Sequence, residues 1–108
     1  MNSTAGENRL TIVGYLGNRP ETRHTPAGIP ITRFTLRHRS VQTEAGMQRE
    51  AVCSIGVIAS GEALQATLRG LSQESVVRVS GFISRANNRQ GEYRIVLHAE
   101  QIEPLGDG

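Results

Sequence analysis

The sequence predicts an all-β domain: a five-stranded barrel with one short helix between strands three and four. Two observations lead there. Short runs of alternating apolar and polar residues recur along the chain, each bounded by turn residues, as in a small barrel or sandwich. One stretch breaks that rhythm: in residues 61–75, Ala63, Leu64, Leu68 and Leu71 recur at helical spacing, and Gly70 is placed to end the helix.

The strands follow in order. In residues 9–16, Leu10, Ile12 and Leu16 share one parity, and Gly14 between them marks a bulge or close bend. Pro20 ends this run or confines it to an edge. Thr25-Pro26-Ala27-Gly28 suits a type I turn, and Pro30 opens the second run. There Thr32, Phe34, Leu36 and His38 point one way, while Arg33, Thr35, Arg37 and Arg39 point the other. No acidic residue interrupts this arginine stripe, which suits a polyanion but also an ordinary wet sheet face. Glu44-Ala45-Gly46 is a turn. The third run, residues 48–59, places Ala51, Cys53, Ile55 and Val57 together, so Cys53 reads as a small core residue. The fourth run, residues 76–85, groups Val77, Val79 and Ile83; the fifth, residues 93–102, groups Tyr93, Ile95, Leu97 and Ala99. Residues 86–91 form an exposed hairpin loop with Arg85, Arg89 and Arg94 around it. Such a hairpin suits a phosphate backbone and equally a solvated loop. Five strands with a helix after the third is the order of an OB-fold, a barrel type that binds oligonucleotides and oligosaccharides.

With 108 residues the chain holds one domain, taken as residues 8–104, after a flexible start (1–7) and before a short tail (105–108). Domains this small bury a modest share of their surface, which makes a dimer plausible. The first eight residues lack the apolar run of a signal peptide, and no stretch is long and apolar enough for a membrane span, so a cytoplasmic protein is expected.

All twelve cationic side chains are arginines, between Arg9 and Arg94. That span holds six glutamates, a balance of +6, against −4 in the flanks. A basic body favours a polyanionic partner. The absence of lysine excludes a Walker A loop and lysine Schiff-base chemistry. His24, His38 and His98 have no metal-ligand spacing with one another or with Cys53. His38 is expected at the inner face or rim, and His98 on a strand as a surface or hydrogen-bonded residue. Ser60-Gly61 lacks the Gly-x-Ser-x-Gly context of a nucleophile. A non-enzymatic protein with no cofactor is therefore expected.

Several blocks carry a specific resemblance. Asn8-Arg9-Leu10, Gly14 through Pro20, Thr25 through Pro30 and Phe34-Thr35-Leu36 resemble the start of bacterial single-stranded-DNA-binding proteins. Further blocks narrow this: His38-Arg39-Ser40-Val41-Gln42 with Glu44-Ala45-Gly46; Val57 through Gly61; Gly81-Phe82-Ile83-Ser84; and Leu97 through Glu103. Together they resemble the primosomal replication protein N (PriB) family over about residues 8–105. The absence of a long acidic-tipped tail accords with that family rather than with general single-strand binders. The resemblance implies an OB-fold homodimer that binds single-stranded DNA and contacts the PriA helicase and DnaT.

Carried over residue by residue, the family's basic DNA contacts fall on Arg23, Arg39, Arg49, Arg89 and Arg94. Two others fall on neutral Asn87 and Asn18, with Arg85 and Arg19 nearby. Positions where the family can carry stacking rings hold Met47 and Val52. Arg37 joins the site from the stripe. The resemblance also implies a dimer joined through first strands, with its surface around Arg9, Leu10, Thr11, Val13 and Tyr15. Strict alternation sets Met47 and Arg49 on the inward side with Cys53; a bulge or frayed end between Arg49 and Ala51 would reconcile this with DNA contact. Two other readings stay open: a general single-stranded-DNA-binding protein, and a protein-interaction adaptor with weak DNA binding.

Overall fold

A computed structural model describes residues 3–87 and 93–106. After a 3-10 turn at Ser3–Gly6 come β1 (Leu10–Leu16), β2 (Glu21–His24), β3 (Pro30–Glu44) and β4 (Met47–Ser60). A 3-10 turn (Glu62–Leu64) leads into α1 (Gln65–Arg69), then β5 (Val76–Asn87) and β6 (Tyr93–Pro104). The sheet order is β1-β5-β6-β4-β3-β2, and a β1–β3 pairing closes it. β1, β5, β6, β4 and β3 therefore form the predicted five-stranded barrel, with α1 after its third strand. β4 and β6 pair in parallel; the other neighbours are antiparallel.

β2 is a sixth strand, absent from the sequence expectation. Its four residues are all exposed, so no apolar alternation announces it. A turn and two hydroxyls hold it instead. The Gly28 amide donates to the Thr25 carbonyl at 2.8 Å, and the Thr25 amide to the Ile29 carbonyl at 2.9 Å. Behind them, the Thr22 and Thr32 hydroxyls meet at 2.6 Å.

The core is the inward parity of each long strand: Leu16, Phe34, Leu36, Val57, Ala59, Val77, Val79, Leu97 and Ile102, with Leu68 of α1 plugging one end. Burying each Val or Leu contributes about 1.5–3 kcal/mol. Two glycines permit the closure. At Gly14 a Cβ would collide with the Arg37 carbonyl, where β1 crosses onto β3. At Gly81 it would collide with the His98 carbonyl, beside a register shift between β5 and β6.

Beyond the core the strands continue as ribbons. The β3–β4 ladder runs without a slip from Ile31↔Ser60 to Glu44↔Met47, and every residue from Val41 to Glu50 is exposed. Ala45 (φ 52°) and Gly46 (φ 77°) both occupy the left-handed region, the geometry of a two-residue hairpin turn matched to strand twist. The radius of gyration, 15.2 Å, exceeds the ~13 Å of a compact chain of this length, as projecting ribbons require.

This projection corrects three inward assignments. Cys53 is exposed, Ile95 is 56% exposed and Ile83 36%, although each keeps its predicted parity. At those positions the strands have left the barrel, so the inward side faces solvent. It also removes the apparent conflict at Arg49. No bulge or frayed end intervenes; both ribbon faces are simply wet.

Candidate nucleic-acid interface

The outer parity of β3, β4, β6 and β5 forms one continuous surface. Register sets Arg33 beside Ile58, His98 and Phe82 in one row; Thr35, Gly56, Val96 and Ser84 fill the next. Arg37 then pairs with Ser54, and Arg39 with Val52, while Ala86 faces Arg94 on the far side. Two shallow cavities meet on β4. One, ≈460 Å³, runs from Arg37 and Arg39 to Ser54. The other, ≈470 Å³, runs from Ser54 to Arg94. Cys53 and Ser54 line both, so the pair forms a trough flanked by arginines on each side.

Arginine partners decide which cations remain for an external anion. Arg9 meets Glu100 at 3.1 Å, Arg49 meets Glu44 at 2.6 Å, Arg39 lies 3.9 Å from Glu50, and Arg78 bonds Glu103. All are exposed pairs worth little in stability. They nonetheless neutralise local charge. Arg23, Arg33, Arg37 and Arg94 carry no carboxylate partner among the described residues. The arginine stripe, uninterrupted within β3, therefore acquires an acid from its neighbour: Glu50 reaches Arg39. Arg37 has no carboxylate partner among the described residues and lies along Gly17, where a Cβ would stand 2.7 Å from its Nε.

The predicted contacts do not share one face. Arg37, Arg39 and Val52 sit on the outer side of the β3–β4 ribbon; Met47 and Arg49 sit on its other side. Both apolar positions are open, Met47 being 70% and Val52 59% exposed. Arg85 and Arg94 likewise occupy opposite faces of the β5–β6 ribbon, because Arg85 pairs with Ile95 and Arg94 with Ala86. Arg23 stands on β2, opposite Ile31. Arg89 lies outside the described residues.

Sequence reasoning missed an aromatic pair. Phe82 and His98 stack with ring centroids 4.7 Å apart and planes 9° from parallel. His98 Nε2 and the Ser84 hydroxyl meet at 2.6 Å, which fixes the ring. Parity already placed Phe82 opposite Val77 and Val79; what the sequence lacked was the extra residue in β6 that sets its register against β5.

The expected dimer strand is half engaged. Leu10 packs against the core and Arg9 holds Glu100, whereas Thr11, Val13 and Tyr15 are exposed. His38 behaves as the expected rim residue: Nδ1 lies 2.6 Å from the Val13 carbonyl, which only accepts, so Nδ1 carries the proton. Its Nε2 meets the Ser40 hydroxyl at 2.7 Å, and Gln42 donates to that hydroxyl at 2.8 Å. Among the described residues, no cluster of His, Cys, Asp and Glu suits a metal ion, and no helix is long and apolar enough to cross a membrane.

A family model described as another single-strand binding protein family matches residues 8–101. The chain belongs to that family: a small barrel with a cationic outer face and projecting ribbons. Within it, the match is narrower. Replication restart protein PriB of Serratia proteamaculans is 46% identical over 101 residues, covering 94% of this chain and 96% of that protein. PriB of Proteus mirabilis is 45% identical with the same coverage. The chain is a member of the PriB family. Among solved structures, PriB from Ralstonia solanacearum aligns with a TM-score of 0.75 at 27% identity, covering 92% of this chain and 98% of that one. A deletion mutant of the single-stranded DNA binding protein from Thermus aquaticus aligns equally well (TM-score 0.75, 26% identity), the match covering half (50%) of its chain.

Proposed function

We propose that this protein binds single-stranded DNA along the β3–β4–β6–β5 outer face and serves replication restart by binding, without catalysis. The observation that carries this reading is the trough bounded by Arg37 and Arg94, two cations without acidic partners among the described residues. Phosphates would sit on Arg33, Arg37 and Arg94, and a base would stack on Phe82 beside His98. As the strand wraps the ribbons, Arg39 and Val52 would meet it on one face, Arg49 and Met47 on the other. Arg85, Arg89 and Arg23 extend the path.

In this reading the protein works in the cytoplasm at a stalled fork as a homodimer, joined through Thr11, Val13 and Tyr15 of β1. It contributes to a primosome with the PriA helicase and DnaT. A labelled oligo-dT titration across a salt series tests the DNA contact: log affinity should fall linearly with log salt. The adaptor reading draws on a different observation. Met47 and Val52 offer no rings, and Arg39 and Arg49 already face glutamates. Negligible DNA affinity at low salt, with PriA still bound in a pull-down, would select it.

A further inference from the structure

At the barrel end away from the ribbons, a third cavity of ≈360 Å³ opens between the β1–β2 connection and α1. We infer that this groove docks an acidic, apolar-anchored segment of a partner protein. Its rim carries Arg19 and Arg69, both exposed, and neither has a carboxylate partner among the described residues. No acidic side chain lines it. Pro20, Leu68 and Leu71 give its lining an apolar patch beside polar Thr22, Gln65 and Ser72. The wall is fixed from behind: buried Gln65 donates through Nε2 to the Thr32 hydroxyl at 3.1 Å, and Thr32 meets Thr22 at 2.6 Å.

Two cations beside an apolar patch suit a carboxylate-flanked aliphatic side chain, whose neighbouring backbone amides can meet Thr22 and Ser72. The carboxylates take the guanidinium hydrogens while the side chain leaves water. A nucleic-acid strand fits less well, because no ring lines the groove for a base to stack on. This inference does not depend on the DNA-binding reading.

The test uses the full chain and a fluorescein-labelled peptide, Asp-Glu-Asp-Leu-Leu-Asp, followed by anisotropy. Saturable binding below about 1 mM is expected. The Arg19→Glu/Arg69→Glu double variant should weaken it about tenfold or more, since like charges then face each other. Arg69→Glu alone should keep its oligo-dT affinity within about twofold, because Arg69 stands on α1, off the arginine stripe of β3. A peptide with the leucines replaced by serine should bind more weakly than the parent. Three outcomes overturn the inference: no saturable binding; equal loss with Arg37→Glu/Arg94→Glu, which would put the peptide on the DNA face; or a DNA defect in the double variant with peptide binding intact. Thermal melting of each variant confirms that these exposed substitutions leave the fold in place. Loss of DNA binding by the unmodified chain would refute the DNA reading and leave this one standing.

Discussion

Replacing Arg37 and Arg94 with alanine should change how DNA affinity responds to salt, and not only its value. On the outer face, Arg23, Arg33, Arg37 and Arg94 lack acidic partners among the described residues. If each neutralises one phosphate, the slope of log affinity against log salt is about −2.8 per protomer, at about −0.7 per contact. Losing two contacts brings it to about −1.4. Arg39 lies 3.9 Å from Glu50, so Glu50→Gln should release it and steepen the slope toward about −3.5. Arg78→Ala serves as control, because Arg78 is bonded to Glu103 on the β5–β6 wall near the other barrel end. Fluorescence anisotropy with labelled oligo-dT between 20 and about 300 mM salt reads all four slopes. The reasoning fails if Arg78→Ala flattens the slope as much as the double variant, or if Glu50→Gln leaves it unmoved. Either result would mean that ion pairing within the protein does not decide which arginines reach phosphate.

Other expectations rest on other contacts. Phe82→Leu keeps apolar bulk and removes the ring, so oligo-dT affinity should drop by about 1 kcal/mol while the melting curve stays close to that of the parent. Gly81→Ala drives a Cβ into the His98 carbonyl and should destabilise the fold by about 3 kcal/mol, read from the urea midpoint; a loss under about 1 kcal/mol would contradict the packing described. Ala45→Asn places a residue tolerant of positive φ at 52° and should stabilise the hairpin by about 1 kcal/mol in the same assay. Exposed Cys53 should react with a thiol reagent in the native state, and saturating oligo-dT should slow that reaction because Cys53 lines the trough.

The barrel was legible because its strands alternate where they pack. Leu10, Ile12 and Leu16, or Phe34 and Leu36, show a period of two that only a half-buried strand explains. The same rule misled at Cys53 and Ile95. Parity tells which way a side chain points but not whether anything is there to meet it. A ribbon that outruns its core keeps the pattern and loses the burial. β2 was hidden for the opposite reason: its pairing rests on backbone and hydroxyl hydrogen bonds, which leave no apolar trace. At the site, the arginines could be named from the sequence, but their pairing could not. Glu50 and Arg39 stand eleven positions apart, and only the unslipped β3–β4 register sets them on neighbouring rows.

The ribbons also bear on the kind of binding to expect. The β3–β4 ribbon is held by a backbone ladder and a tight turn, with no core beneath it. What the β3–β4 ribbon presents is charge and a few aliphatic side chains in place of rings. Phosphate contacts are indifferent to base identity, so such a surface should be tolerant of sequence and sensitive to ionic strength. With a slope of about −2.8, raising salt from 50 to 200 mM lowers affinity about fiftyfold. A stacking contribution at Phe82 releases no counterions and should persist at every salt concentration. The two effects can therefore be separated in one experiment: Phe82→Leu should lower the whole log–log line without tilting it, and the arginine variants should tilt it. If Phe82→Leu also tilts the line, the Phe82–His98 pair acts by positioning the arginines and not by holding a base.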